Sequence, residues 1–217
     1  AILSLAKQME HASILAMNKI SDHDLNLSGS ITVTSTQSIA SNWLAERISK
    51  FSKMYPEISV QCIADTRMLN LAKREADVAI RFGVPEPSKL IGSRICDVHC
   101  GVYASEDYLK ESGIPASITD LVDHKIVGPV GQIGHYRQIS EFKEIAAKTA
   151  RITCETNCPD TYLSLAVAGL GLACLPCFVA TRHPQLRRVL NDESDWKIEL
   201  WMLTHPDIRE VNRIRVF

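Results

Sequence analysis

Short β-branched or apolar runs alternating with segments of helical period leave few folds open to the first half of this chain. Ser30-Ile31-Thr32-Val33-Thr34 has strand chemistry. The polar stretch Ser35-Thr36-Gln37-Ser38 follows, and a helix begins there. Its apolar positions Ile39, Trp43, Leu44, Ile48, Phe51 and Met54 keep helical spacing up to Tyr55-Pro56, where proline stops it. Ile58 to Ile63 alternates as the next strand, a helix is predicted around Met68 to Arg74, and Ala76-Asp77-Val78-Ala79-Ile80 suits a strand buried on both faces. Strand, helix, strand, helix, strand is an α/β lobe with a mostly parallel sheet.

The second half repeats the idea without repeating the sequence. Cys96 to Ala104 is strand-like, a helix is expected at Glu106 to Glu111, and Ser112-Gly113-Ile114-Pro115 is a turn. Gly128-Pro129-Val130-Gly131-Gln132-Ile133-Gly134 is an irregular, glycine-rich loop. Arg151 to Cys154 reads as a strand, and Pro159 suits the first position of a helix running to Ala168. Gly169-Leu170-Gly171 ends that helix, Leu172 to Leu175 is a buried strand closed by Pro176, and Trp196 to Thr204 alternates as a strand. From Asp207 a last helix starts. A second α/β lobe of similar size follows from this pattern.

Residues 1 to 20 read as one helix, with Ile2, Leu5, Met9, Ala12 and Ala16 at spacings of three and four. Two heptads do not hold a coiled coil alone, so this seam calls for a partner helix or a longer continuation. Ser21 to Gly29 reads as a polar hinge.

Composition excludes several classes. The 24 basic and 25 acidic side chains give a net charge of −1, which offers no surplus of cations for neutralising phosphates. No apolar run approaches the roughly 18 residues that span a bilayer, and Ala1 to Lys7 lacks the basic start and cleavage site of a signal peptide. The expectation is a cytoplasmic chain. Seven cysteines, an odd number, argue against a complete set of intrachain disulfides. Cys62, Cys100 and Cys174 lie in apolar stretches, and buried, reduced thiols are the reading for the set. Cys174-Leu-Pro-Cys177 is a CxxC without a second pair or a nearby histidine, so neither metal nor cofactor is expected. Enzyme motifs are missing too. There is no GxSxG, no phosphate-binding loop, and the seven histidines have no HExxH spacing.

Four segments in order resemble the effector-binding region of LysR-type transcriptional regulators over nearly the whole chain. They are Gly29-x-Ile31-x-Val33 with Tyr55-Pro56-Glu57-Ile58, Glu75-Ala76-Asp77-Val78-Ala79-Ile80-Arg81, Ala168-Gly169-Leu170-Gly171-Leu172-Ala173-x-Leu175-Pro176, and Leu200-Trp201-x-Leu203-Thr204-His205-Pro206-Asp207-Ile208-Arg209 with Arg213-Ile214-Arg215. The resemblance implies two Rossmann-like lobes joined by two crossover strands, near Cys100 and Thr204, in the manner of type 2 periplasmic binding proteins. Residues 1–28 would be linker helix and hinge, 29–99 plus 205–217 lobe I, and 100–204 lobe II. It further implies a small effector between the lobes, a homodimer or homotetramer, and promoter DNA read only through a winged helix-turn-helix outside these residues. An extracytoplasmic solute-binding protein of the same fold is the alternative. The amphipathic first helix and free cysteines count against it. Thiol-based sensing, as in peroxide-sensing members, would call for cysteines within 128–145, where this sequence has none.

Ligands of parallel α/β sheets bind outside the carboxyl ends of strands. Ser35, Thr36, Gln37 and Ser38 stand at such an end and run into a helix N-terminus, which favours a carboxylate or another anion. Thr36 or Ser38 could instead cap the helix. By resemblance Thr66 is a pocket position or a turn residue, and Asn157 faces the cleft or caps its own helix. Arg81 would pair an acidic effector, or Glu75 or Asp77. Gly128 and Pro129 would shape the pocket wall, with Gln132, His135 and Tyr136 reaching inward. Trp43, with Ile39 and Arg47, lies on the helix by which the family pairs subunits, or stacks in its own core.

Overall fold

The computed structural model describes residues 27–65, 67, 71, 74–85, 89–131, 134, 136–149, 151–190 and 196–217. The helix expected over 1–20 lies outside them.

In the first lobe β1 (Gly29–Ser35) leads into a helix, α1, built as Gln37–Ile39, a π-helical turn Ala40–Leu44 and Ala45–Met54. Ile39, Leu44 and Phe51 form its buried stripe, and Tyr55 leaves helical geometry just before Pro56. β2 (Ile58–Ala64) and β3 (Val78–Phe82) flank β1, and both run parallel to it. Val78, Ala79 and Ile80 are all buried, as a central strand of an apolar run should be. The helix expected around Met68 to Arg74 falls mostly on 68–70 and 72–73, which lie outside the described residues; Arg74 at its end has φ 59°.

β4 (Ile91–Ser105) crosses from the first lobe into the second and leads to α2 (Glu106–Ser112), capped by the Ser105 hydroxyl accepting from the Tyr108 N–H at 3.1 Å. β5 (Lys125–Pro129), α3 (Arg137–Thr149), β6 (Arg151–Thr156), α4 (Pro159–Val167), β7 (Ala173–Pro176), α5 (Cys177–Ala180), β8 (Leu186–Val189) and β9 (Lys197–Thr204) follow. The last helix is interrupted, as α6 (Pro206–Arg209) and α7 (Asn212–Val216). The main sheet runs β2-β1-β3-β9-β4-β7, with β8 also on β4; β5 and β6 pair in parallel.

β4 is the spine. Its first part, Ile91 to His99, pairs antiparallel with β9, and Cys100 to Ser105 pairs with β7 and β8. β9 in turn pairs with β3, Val78 opposite Thr204 and Phe82 opposite Leu200. The strand changes partners at Cys100, and a bulge at Arg94/Cys96 bends it just before. β4 starts five residues earlier than the sequence predicts, because Ile91 to Ile95 is largely exposed and lacks a buried face to create alternation. Separate cores fill the lobes: one around Ile31, Val33, Leu44 and Ile80, the other around Val102, Leu121, Ile126, Phe142 and Trp196.

Two glycines of the motif following α4 act through geometry. Gly169 takes φ +80° to end the helix. Gly171 lies so close to β5 that a Cβ there would stand 2.4 Å from the Lys125 carbonyl oxygen.

Candidate functional site

The carboxyl end of β1 gives the site its first wall. Ser35 is fully buried and Thr36 is 8% exposed. Neither hydroxyl oxygen has a hydrogen-bond partner among the described residues. Thr36 occupies the N-cap position of α1, yet its side chain makes no capping hydrogen bond. A buried hydroxyl left unpaired costs about 1–3 kcal/mol, so each is a standing demand for a partner. The N–H groups of the first helical turn add donors without intrahelical acceptors, and the dipole there favours negative charge. Ser38 is buried as well, with its carbonyl accepting from Asn42 Nδ2 at 3.0 Å.

α4 supplies the facing wall. Pro159 takes its first position and Cys158 its N-cap, so Asn157 does not cap. Asn157 is exposed one residue before, its Cβ 3.3 Å from where a Cβ on Gly131 would stand. The Cys158 N–H donates to Thr156 Oγ1 at 3.1 Å, and its thiol reaches Gln37 Oε1 at 4.0 Å. The amino ends of two helices from different lobes therefore meet at one point, which brings together Gln37 and the segment after β6. The Thr161 hydroxyl and N–H, with the Asp160 N–H, hold the Cys158 thiol below its ordinary pKa.

Arg81 is buried at the end of β3, and its guanidinium is spent on the protein. Nη1 donates to the Asp65 carbonyl at 2.5 Å; Nη2 donates to Thr34 Oγ1 at 2.7 Å and the Arg67 carbonyl at 3.1 Å. The Asp77 carboxylate meanwhile accepts from the Thr32 N–H at 2.8 Å. Arg81 thus clasps the segment after β2, which carries position 66, instead of pairing with Asp77. Burial lowers its pKa, partly offset by Tyr136 and Asp65. Thr66 itself, and Gln132 and His135, lie outside the described residues. Tyr136 does reach inward: its ring packs edge-on against Phe82 at 5.8 Å. Pro129 is buried at the end of β5 and borders a cavity of ≈ 370 Å³ with Gly131, Gly134 and Lys143.

Trp43 is half-buried against the first-lobe core, and the Arg47 guanidinium lies 4.0 Å over its ring. Of the seven unpaired cysteines, Cys100 and Cys174 are buried as expected, but Cys62 is exposed and the other four are intermediate. Cys62 fails because β2 is an edge strand whose outer positions face solvent, whatever the apolar neighbours suggest. Sequence reasoning also missed Cys158; its signal was Pro159, since a proline at the first helical position makes the residue before it the cap.

Two α/β lobes sharing two long strands, β4 and β9, with the amino ends of α1 and α4 facing each other, define a fold of the type 2 periplasmic-binding-protein class. Residues 26–217 match the LysR substrate binding domain, and the chain belongs to that family. It is 27% identical over 198 residues to the HTH-type transcriptional regulator PgrR of Escherichia coli K12, covering 89% of this chain and 64% of that protein. It is 26% identical over 195 residues to CrgA of Neisseria meningitidis serogroup C, covering 87% and 64%. The chain thus spans under two thirds of the length of these relatives. Among solved structures, the CrgA regulatory domain from N. meningitidis superposes with TM-score 0.76 at 24% identity, covering 88% of this chain and 95% of that one. The effector domain of AmpR from Pseudomonas aeruginosa gives 0.68 at 18% identity, covering 87% and 92%.

Proposed function

We propose that this domain binds a small anionic effector between its lobes and, within a longer LysR-type regulator, controls promoter activity through a winged helix-turn-helix. The observation that carries the reading is the pair of buried, unpartnered hydroxyls of Ser35 and Thr36 at the start of α1. Gln37 and Ser38 continue that wall, Asn157 and Pro129 belong to the other, and Thr66, outside the described residues, belongs to this reading by family resemblance. Arg81 contributes by fixing the segment that carries position 66. The division into 29–99 plus 205–217 and 100–204, with 1–28 as linker, belongs to the same reading. So do a cytoplasmic location, a homodimer or homotetramer pairing through the Trp43 and Arg47 face, and the lack of any catalytic role. Among the described residues no helix is long and apolar enough to cross a membrane.

A thermal-shift screen of small carboxylates, amino acids and aromatic acids tests it. A ligand that binds only the folded protein raises the melting temperature with concentration. Thr36→Val removes a hydroxyl that has no partner among the described residues, so the unliganded variant should melt at or above the parent. Its affinity for any hit should fall by about 1–3 kcal/mol, with Ser38→Ala behaving likewise. Parental binding by both variants would place the pocket elsewhere.

A further inference from the structure

The two lobes have separate cores, yet one side chain belongs to both. Phe82, the last residue of β3, packs against both the first-lobe core and the second-lobe core. Tyr136, between β5 and α3, meets that ring edge-on, 5.8 Å between centroids and 86° between planes. Phe178, in α5, meets it at 6.5 Å and 55°. The first-lobe ring is therefore wedged between two second-lobe rings.

The chain is arranged around this wedge. Gly83 follows with φ +87°, donates its N–H to the Glu199 carbonyl on β9 at 2.8 Å, and a Cβ there would touch the Tyr136 ring at 3.8 Å. Glycine thus lets β3 turn away where the tyrosine arrives. The Arg81 guanidinium, one residue back, is held by three protein oxygens and cannot follow Tyr136 if it moves. At the helix ends the Cys158 thiol reaches Gln37 Oε1 at 4.0 Å, a weak contact. Edge-to-face ring pairs have preferred distances and angles, so a wedge resists rotation in a way that a smooth apolar surface does not.

We propose that the Phe82–Tyr136–Phe178 wedge fixes the angle between the two lobes in the free domain, and that the lobes rotate relative to each other when it is loosened. This goes beyond the proposed effector reading and does not depend on which ligand the cleft takes.

Hydrogen exchange by mass spectrometry and small-angle scattering on the whole 217-residue chain test it without a ligand. In Tyr136→Ala/Phe178→Ala, the first hydrogen-bonded amides of α1 and α4, from Ala40 and Tyr162 onward, should exchange at least about tenfold faster. The radius of gyration should rise, while β1 and β7 keep parental protection. Phe82→Leu, which keeps aliphatic packing in its own lobe, should show the same pattern in milder form. Unchanged exchange at both helix ends and an unchanged radius would overturn the proposal. Loss of protection in β7 in step with the helix ends would overturn it too, since the rings would then be ordinary second-lobe core. Either failure leaves the Thr36→Val binding test untouched.

Discussion

Cys158 and Cys62 carry the same thiol in opposite surroundings. At Cys158, hydrogen bonds from Thr161 and the start of α4 stabilise the thiolate; at Cys62, exposed as the residue is, desolvation of the thiol itself pushes it up. The buried Cys100 is pushed up to about 12, first by burial and then by Cys177. Iodoacetamide at neutral pH, read by peptide mass spectrometry, should therefore alkylate Cys158 before Cys62 and leave Cys100 until the protein unfolds. Equal rates at Cys158 and Cys62 would refute that ordering. The hydroxyl run Ser35 to Ser38 could be found in the sequence because short polar residues between a strand and a helix have few other uses. Burial of Cys62 was misjudged because flanking residues do not reveal which face of an edge strand is covered. Arg81 illustrates a deeper limit: its partners are two backbone carbonyls and a threonine, and carbonyls carry no sequence signature.

Elements were legible where periodicity and burial coincide. β1, β3, α4 and β7 fall close to their expected places because each has a wholly or half-buried face and a punctuating glycine or proline. α3 was not foreseen, although Ile139 and Phe142 are buried on it, because the glycine-rich loop before it dilutes the pattern. β5 went unseen for a related reason: it begins on Lys125, just after His124, and ends on Gly128-Pro129, which read as loop chemistry. The glycine at 171 gives a sharp test at this scale. Gly171→Ala would put a methyl group 2.4 Å from the Lys125 carbonyl oxygen, which is backbone and cannot swing aside. β5 and β7 must separate or the new side chain must strain, and overpacking of this kind costs about 1–3 kcal/mol. Urea denaturation should show a lower midpoint with an unchanged slope; a midpoint equal to the parent's would mean that the two strands have slack.

For the molecule as a whole, the two-lobed plan could be read from four family segments in order. The way the lobes are locked could not, since Phe82, Tyr136 and Phe178 are far apart in sequence and each alone looks like ordinary core. Stability against pH is also a property of the whole, and one buried histidine gives it a predictable slope. The Tyr108 phenol oxygen accepts the Lys125 N–H at 2.8 Å and lies 3.1 Å from His124 Nδ1. With Nδ1 unprotonated, the phenol donates its own proton there. Burial lowers the His124 pKa from its ordinary 6.5, and the carboxylates of Asp123 and Asp120 offset only part of this. Below pH 6.5 the unfolded chain therefore takes up a proton that the folded chain still refuses. The contribution of His124 is full above that pH and is lost as pH falls from there toward the lowered folded value. Urea midpoints measured from pH 8 to pH 5 should accordingly drop more steeply for the parent than for His124→Gln, which has no proton to take up. The variant's lower stability at pH 8 does not disturb the comparison, because the difference in slope is what is read. Parallel curves would show that His124 titrates alike in the folded and unfolded chains, and that the Tyr108 proton has another acceptor.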